Sequence, residues 1–252
     1  MKPTNSITMR KFNMLAMVAL LATPVNAAIV GLTTTDISRT GNYDLSTGSN
    51  VDWRFFNDTT GGGNSQLGGA GSISAVTATL TTGITYQVQG STPQQYNWTD
   101  GMIAGVGGAS NTGLNIDDAL LKSSAAGPDL EGSGANLSFT IVGQTYPQTV
   151  SIYGMKLNIG ENFTASLNGF SDVDVTGTTA GGTSVAFRTD LTFTALNTGD
   201  LLTLTLRGAG SGASVDERVG IQAVTVSGIP EPSAAALLGL GMLGLAARRR
   251  RA

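Results

Sequence analysis

Cysteine and histidine are both absent from the 252 residues of the chain. Without cysteine, the protein can form neither disulfides nor thiolate metal sites. Without histidine, it lacks Ser-His and Cys-His nucleophilic pairs and the commonest transition-metal ligand. Charged residues make up only 12% of the chain and aromatic residues 6%. These absences exclude a disulfide-stabilised fold and the histidine-dependent hydrolases.

The C-terminal 23 residues have three consecutive parts. Pro230, Glu231 and Pro232 come first, and an apolar run of 14 residues follows from Ala234 to Ala247. The chain then carries four arginines, which are Arg248, Arg249, Arg250 and Arg251. The run contains only Ala, Leu, Gly and Met, which suits a helix in lipid, but it is shorter than the roughly 20 residues that cross a bilayer. We interpret residues 234–247 as a short transmembrane helix whose arginines stay cytoplasmic; a C-terminal core helix is the alternative.

This order of Pro-Glu-Pro, short hydrophobic helix and arginine cluster resembles the PEP-CTERM sorting signal of exported bacterial proteins. The resemblance implies that residues 230–252 are a sorting signal, with Pro230, Glu231 and Pro232 as recognition elements for an exosortase. It also implies transient anchoring in the inner membrane, followed by delivery to the cell surface or the extracellular space.

The N-terminus has the three parts of a secretory signal peptide. These are a basic region (Lys2, Arg10, Lys11), an apolar stretch (Met14–Leu21) and a small-residue cleavage site ending at Ala27. Cleavage by signal peptidase would make Ala28 the new N-terminus. The alternative is a first helix of the fold, but Pro24 follows the apolar stretch and no polar helical face accompanies it. The sequence therefore predicts a signal peptide over 1–27, an exported body over 28–229 and a sorting signal over 230–252.

The body is much more acidic than the whole chain. It holds seven of the 14 basic residues and 16 of the 17 acids, so its net charge is −9 whereas that of the full chain is −3. Nucleic-acid binding needs a basic surface, and we therefore exclude nucleic acid as a partner.

Short segments of alternating apolar and polar residues recur through the second half of the body, most clearly over 137–227. Alternation with a period of two is typical of strands with one buried face. The apolar positions are Leu137/Phe139/Ile141, Val150/Ile152, Phe163/Ala165/Leu167, Leu191/Phe193, Leu202/Leu204/Leu206 and Val219/Ile221. Turn residues separate these segments, for example Asn168-Gly169 and Asn197 to Asp200. The fold class predicted is all-β, with an antiparallel β-sandwich or jelly roll as the body.

The first half of the body is less regular. Strands are predicted at Val51–Phe55, at Ser74–Leu80 and around Ile84, Tyr86 and Val88. The segment Asp117–Lys122 is expected to form one helical turn.

The order of five segments resembles bacterial surface β-sandwiches of the galactose-binding-like type. The segments are Asn97–Gly101 (NWTDG), Gly132–Phe139 (GSGANLSF), Thr149–Leu157 (TVSIYGMKL), Thr164–Leu167 (TASL) and Gly220–Val226 (GIQAVTV). Those proteins are jelly rolls that can bind sugars through loops at one end. The resemblance covers about half of the chain and transfers no ligand residue.

Three aromatic residues are candidates for sugar binding, because flat rings stack on pyranose faces. They are Trp53, Tyr96 and Trp98, the last two flanked by Gln94, Gln95, Asn97 and Asp100. The alternative is that Trp53 lies in the core and Trp98 closes one end of the sandwich.

Paired acidic residues are the remaining candidates for catalysis. A glycosidase needs two carboxyl groups about 5 to 10 Å apart, and the candidate pairs are Asp117-Asp118, Asp172/Asp174 and Asp216-Glu217. Adjacent acids in a strand point to opposite faces, which disfavours Asp216-Glu217.

Calcium is the best cofactor candidate, with Asp172 and Asp174, Asn57-Asp58 or Asn197 and Asp200 as oxygen ligands. Solvated loop acids are the alternative.

Three functions remain open, in this order. The first is a non-catalytic cell-surface or extracellular-matrix protein, associated with exopolysaccharide or biofilm. The second is a carbohydrate-binding module in the same place. The third is a secreted glycan-active enzyme.

Overall fold

Alternating burial defines the most regular strands of the body. In the segments Asn136–Val142, Gly160–Leu167 and Leu201–Ala209, apolar side chains at every second position are buried, and the polar ones between them are partly exposed. Such alternation places one face of each strand in a core and the other toward water. The alternation predicted from the sequence at these positions is confirmed.

The computed structural model describes residues 27–46, 50–56, 72–89, 95–98, 111–115, 118–123, 129–168, 170–177, 184–210 and 216–228. Residues 27–229 form one compact unit. The predicted signal helix and the predicted transmembrane helix lie outside the described residues. Within the described part of the chain, no helix has the length and hydrophobicity needed to cross a bilayer.

The described residues of this unit form fifteen strands. In chain order they are β1 (Ala28–Ile37), β2 (Asn42–Asp44), β3 (Asn50–Phe55), β4 (Thr77–Thr79), β5 (Ile84–Gln89), β6 (Gln95–Trp98), β7 (Asn111–Asn115), β8 (Asp118–Ser123), β9 (Asn136–Val142), β10 (Gln148–Leu157), β11 (Gly160–Leu167), β12 (Phe170–Thr176), β13 (Val185–Thr194), β14 (Leu201–Ala209) and β15 (Arg218–Gly228).

The strands form three sheets. The first sheet has the order β1-β13-β10-β15-β8-β5, and β3 pairs with β15 as a seventh strand. The second sheet has the order β12-β11-β14-β9-β4, and the third, small sheet has the order β2-β6-β7. Pairing is antiparallel throughout the first two sheets, whereas β2 and β6 are parallel. The predicted all-β class and the antiparallel sandwich are confirmed.

The main core lies between the first and second sheets. It is formed by aliphatic and phenylalanine side chains from both, among them Phe139, Phe163, Phe187, Leu204 and Val224, all at most 2% exposed. Burial of apolar side chains contributes about 1.5 to 3 kcal/mol each for residues of this size. This core is the main source of stability in a chain without disulfides.

A second cluster covers part of the outer face of the first sheet, which is the face turned away from the second sheet. Its buried members are Leu45, Trp53, Phe55, Tyr96, Tyr153 and Ala223, with Ile37 and Tyr43 packed against them. Because β2 and β6 of the third sheet contribute to it, the middle of the first sheet is buried on both faces. The central strands β10 and β15 accordingly show long buried runs in place of alternation.

The segment 118–122 differs from the expected helical turn. It belongs to strand β8, which pairs with β15 on one side and with β5 on the other. Leu120 and Leu121 are both fully buried although they point to opposite faces. Two adjacent apolar residues break the alternation that is typical of a strand, and the segment therefore looked helical in the sequence. Both leucines can be buried in a strand because this part of the sheet is covered on both faces.

Candidate functional site

A polar cluster lies on the outer face of the first sheet, beside the aromatic residues that cover its middle. Alternation along β13 turns Phe187 and Leu191 into the main core and Arg188 and Asp190 to the outer face. On the neighbouring strand β10, Ser151 is the cross-strand partner of Asp190, and Tyr153 is that of Arg188. We call Ser151, Arg188 and Asp190 the Arg188 cluster.

Hydrogen bonds connect all three members of the Arg188 cluster. Ser151 Oγ donates to Asp190 Oδ1 at 2.6 Å, and Arg188 Nε donates to the same oxygen at 2.8 Å. Arg188 Nη2 donates to Ser151 Oγ at 3.0 Å. The side chains of Arg188 and Asp190 are 41% and 39% exposed, so the cluster is ordered and still reaches solvent.

The edge strand β1 extends this polar surface. Thr33 pairs with Asp190 and Thr35 with Arg188, and both threonines are exposed. Hydroxyl groups both donate and accept hydrogen bonds, whereas a guanidinium only donates and a carboxylate only accepts. The surface thus presents donors and acceptors side by side, and the charges of Arg188 and Asp190 cancel.

Aromatic side chains border the cluster. The guanidinium carbon of Arg188 lies 5.6 Å from the centre of the Tyr153 ring, within the range of a cation–π interaction. The Tyr43 ring lies 5.3 Å from that of Tyr153, and the Tyr43 hydroxyl donates to the Ser38 carbonyl at 2.8 Å. The partly exposed Tyr43 therefore borders the Arg188 cluster on its aromatic side.

The ionisation states of these groups follow from burial and from their neighbours. Burial raises the pKa of Tyr153 and that of Tyr43, in both cases against the opposing effect of Arg188. Burial acts to lower the pKa of Arg188, but Tyr153 and the hydrogen-bonded Asp190 outweigh it, and the net shift is upward. These upward shifts keep Arg188 a cation and leave Tyr43 and Tyr153 as neutral phenols at neutral pH.

Two of the three aromatic residues predicted to bind sugar, Trp53 and Tyr96, are buried. Trp53 and Tyr96 are both 0% exposed in the second cluster, where the Tyr96 hydroxyl donates to Gln222 Oε1 at 2.8 Å. Neither ring has a face open to a sugar, because both are packed inside the second cluster on the outer face of the first sheet. The core position weighed as the alternative for Trp53 is the one observed. Trp98 ends strand β6, and its side chain lies outside what the structure describes.

Of the predicted acid pairs, the structure describes both side chains of Asp216-Glu217 alone. Asp216 is partly exposed and binds Arg218 through two hydrogen bonds of 2.7 and 2.9 Å, whereas Glu217 is fully buried and accepts from the Leu130 amide at 2.7 Å. The two carboxylates thus point to opposite sides, as alternation in a strand predicts. Asp172 and Asp174 lie in strand β12 and Asp118 in β8, but their side chains, like Asp117 as a whole, lie outside the described residues.

Among the calcium candidates, the structure describes the side chains of Asn197 and Asp200. Asp200 Oδ2 accepts from the Asn197 amide at 2.9 Å, so this pair closes the turn before β14. This hydrogen bond lowers the pKa of Asp200. No group of three acidic side chains that could hold a metal ion occurs among the residues that the structure describes. The pair Asn57-Asp58 falls outside them.

Sequence reasoning missed the Arg188 cluster. The segment VAFRTDLTF does carry a signal, because Arg188 and Asp190 alternate with Phe187 and Leu191 and must share the polar face of a strand. The contribution of Ser151 depends on the register between β13 and β10, which no local pattern reveals.

The end of the chain matches a known sorting element. Residues 228–251 match the family model of the PEP-CTERM protein-sorting motif. The chain carries a PEP-CTERM motif. The match includes Pro230, Glu231, Pro232 and all four arginines, so the recognition made from the sequence is confirmed. A PEP-CTERM motif indicates an exported protein that an exosortase processes. The matched region begins at Gly228, the last residue of β15, and leaves the function of the body open.

No curated protein matches the chain significantly. Among solved structures, the chain is similar to the CBM22-1 xylan-binding domain from Paenibacillus barcinonensis, at 11% identity and a TM-score of 0.38, over 73% of this chain and all of that one. It is also similar to TmCBM61, solved with beta-1,4-galactotriose, at 10% identity and a TM-score of 0.34, over 62% of this chain and 90% of that one.

A third similar structure is the enzymatically active domain of tailspike protein 4 from bacteriophage CBA120, at 12% identity and a TM-score of 0.37. The alignment covers 63% of this chain but only 19% of the tailspike. All three are distant resemblances.

Proposed function

We propose that the protein is an exported, non-catalytic component of the cell surface or extracellular matrix that binds a neutral polysaccharide through the Arg188 cluster. The observation that carries the proposal is the charge-balanced pair of Arg188 and Asp190, which is partly exposed on the outer face of the first sheet and is held in place by the buried Ser151. The PEP-CTERM motif supports it, because export brings the body to the compartment where such polymers occur.

The chemistry of the cluster fits a sugar better than a charged ligand. The hydroxyls of a sugar both donate and accept hydrogen bonds. The cluster offers guanidinium donors and the carboxylate of Asp190, and the exposed hydroxyls of Thr33 and Thr35 lie beside it. The body carries a net charge of −9, which opposes binding of a polyanion. A neutral polymer rich in hydroxyl groups is therefore the expected ligand.

The absence of catalysis is part of the proposal. Within the cluster, Asp190 is the single carboxylate, and its Oδ1 already holds Ser151 and Arg188. A retaining or inverting glycosidase needs two carboxyl groups, one of which is free to transfer a proton. We therefore expect the protein to bind the polymer without shortening it.

Co-sedimentation with exopolysaccharide purified from the producing cells tests the proposal. Arg188→Met should weaken binding about tenfold, corresponding to about 1.4 kcal/mol. Arg207→Met is the matched control, since it removes the same charge from an exposed position of β14 in the second sheet, and it should bind as the wild type does. Equal binding by the wild type, Arg188→Met and Arg207→Met would refute the Arg188 cluster as the binding site.

Two further measurements test the alternatives, which are a binding site at Trp98 and a glycan-active enzyme. Trp98→Ala measures whether Trp98 contributes, and loss of binding in that variant alone would move the site to strand β6. Chromatography of the polymer after incubation measures its chain length, and shortening by the wild-type protein would show a glycan-active enzyme.

A further inference from the structure

A lysine is completely buried between two carboxylates at one end of the first sheet. Lys156 Nζ lies 2.6 Å from Asp36 Oδ1 and 2.8 Å from Glu161 Oε2. The side chains of Lys156 and Glu161 are both 0% exposed, whereas that of Asp36 is 46% exposed. The three residues lie on β1, β10 and β11, so the contact joins the first strand of the body to both sheets of the sandwich.

The fold encloses this group. Asp36 pairs with Phe187 and Lys156 with Val185 on the intervening strand β13, so Lys156 reaches past β13 to meet Asp36. The Gly177 amide donates to the Glu161 carbonyl at 2.8 Å, and a Cβ at Gly177 would overlap the Glu161 carboxylate. The glycine at position 177 thus leaves room for the Glu161 carboxylate where the chain closes over it.

Burial disfavours the charged form of Glu161. Burial raises the pKa of Glu161, and the hydrogen bond from Lys156 opposes that rise without cancelling it. A buried ion pair loses several kcal/mol of solvation per ion, and transfer of one proton from the ammonium to the carboxylate removes both charges. The transfer also converts the Lys156 ammonium into an amine, which is a nucleophile.

We propose that Lys156 and Asp36 condense into an intramolecular amide bond and that Glu161 transfers the protons of this reaction. The 2.6 Å contact between Nζ and Oδ1 places the amine beside the carboxyl group that it would attack, and the attack itself needs an approach to the carboxyl carbon of about 3 to 3.5 Å.

The reaction is balanced without any other reagent. Glu161 first takes a proton from the Lys156 ammonium. The free amine attacks Cγ of Asp36, while Glu161 returns the proton to an Asp36 carboxyl oxygen. Glu161 then takes a second proton from the nitrogen and delivers it to the same oxygen, which leaves as water. One N–C bond forms and one C–O bond breaks, and Glu161 ends in its starting state. The partly exposed position of Asp36 gives the water a route to solvent.

The amide bond would provide a covalent cross-link in a chain that cannot form disulfides. The chain has no cysteine, and β1 is an edge strand whose side chains are mostly exposed or partly exposed. A covalent link between positions 36 and 156 restricts the unfolded chain as a disulfide over the same interval would. The first strand could then not detach from the sheet outside the cell.

Mass spectrometry of the full-length wild-type protein tests the proposal. We expect an intact mass lower than that of the sequence by one water molecule, and one branched peptide after proteolysis that contains both Asp36 and Lys156. Recovery of these residues only in two separate peptides would overturn the proposal. The branched peptide is the decisive observation, because dehydration of an aspartate to a succinimide also removes one water but joins no peptides.

Two variants and one control assign the roles. Glu161→Gln keeps the shape of the side chain but cannot transfer the proton, and Asp36→Ala removes the carbon that is attacked; both should give the unlinked peptides. Asp190→Asn changes a carboxylate outside this group and should stay linked. If Glu161→Gln were linked to the same extent as the wild type, Glu161 would not be the proton-transfer group. Since Glu161 is buried, circular dichroism is recorded for each variant, and the wild-type result stands by itself if a variant does not fold.

Discussion

Ser151 and Asp190 lie directly opposite each other on β10 and β13, and the Ser151 hydroxyl donates to Asp190 Oδ1 at 2.6 Å. Arg188 donates to both residues, so the three side chains hold one another in a fixed arrangement on the outer face of the first sheet. The affinity for a polysaccharide should therefore depend on the cluster as a unit.

A double-mutant cycle tests this dependence. Asp190→Asn should weaken polysaccharide binding about as much as Arg188→Met, because Arg188 loses the carboxylate that orients it. The double variant should bind no more weakly than either single variant, with a coupling energy of about 0.5 to 3 kcal/mol. The dissociation constants from isothermal titration check this, and strictly additive losses would show that the two residues act independently.

Tyr96 should matter for stability and not for binding. Tyr96→Phe removes the buried hydrogen bond to Gln222 Oε1 and should lower the free energy of unfolding by about 1 to 3 kcal/mol. Urea denaturation measures this loss. Binding to exopolysaccharide should be unchanged below the unfolding transition, and a large loss of affinity in a folded variant would place Tyr96 in the ligand site.

Glu217 should also be a residue of the core. Its Oε2 accepts a 2.7 Å hydrogen bond from the buried amide of Leu130. Glu217→Ala leaves that amide without this acceptor and should lower the free energy of unfolding by about 1 to 3 kcal/mol. The neighbouring Asp216→Ala is the control, and a larger effect there would contradict the burial pattern.

The pH dependence of stability should include Asp216. The hydrogen bond from Arg218 lowers the pKa of Asp216 against a smaller opposing effect of burial, and the charges of Arg218 and Lys122 lower it further. A depressed pKa in the folded state contributes stability above the unfolded pKa, and this is lost as the pH falls through the folded pKa.

Asp216→Asn should therefore reduce stability at pH 7 and lose less of it on acidification than the wild type. The side chain is 38% exposed, so the difference should stay below about 1 kcal/mol after solvent screening. Melting temperatures measured from pH 7 to pH 3 check this, and parallel curves for the two proteins would contradict it.

The predictability of the fold differed between its two halves. Strands β9, β11 and β14 follow from alternation because only one of their faces is buried. Strand β8 was expected to be helical, because Leu120 and Leu121 are both buried and remove the alternation. Burial on both faces is a property of the assembled sheets, and no local pattern in the sequence encodes it.

The candidate site was less predictable than the fold. Trp53 and Tyr96 looked suited to sugar stacking because they are large aromatic residues in a polar context, but both side chains are fully buried in the second cluster. Arg188 and Asp190 were visible as a polar face of one strand. Their hydrogen bonds to Ser151 depend on the register between β10 and β13. Ser151 precedes Arg188 by 37 residues and Asp190 by 39 residues in the sequence.

The central claim is that this chain is exported cargo whose terminal segments are sorting signals. The most direct test is the intact mass of the protein recovered separately from the cytoplasm, the membrane and the medium of producing cells. We predict that the protein outside the cytoplasm begins at Ala28 and that a Pro230/Glu231/Pro232→Ala variant accumulates in the membrane. A stable cytoplasmic protein that retains residues 1–27 and 230–252 would contradict the account.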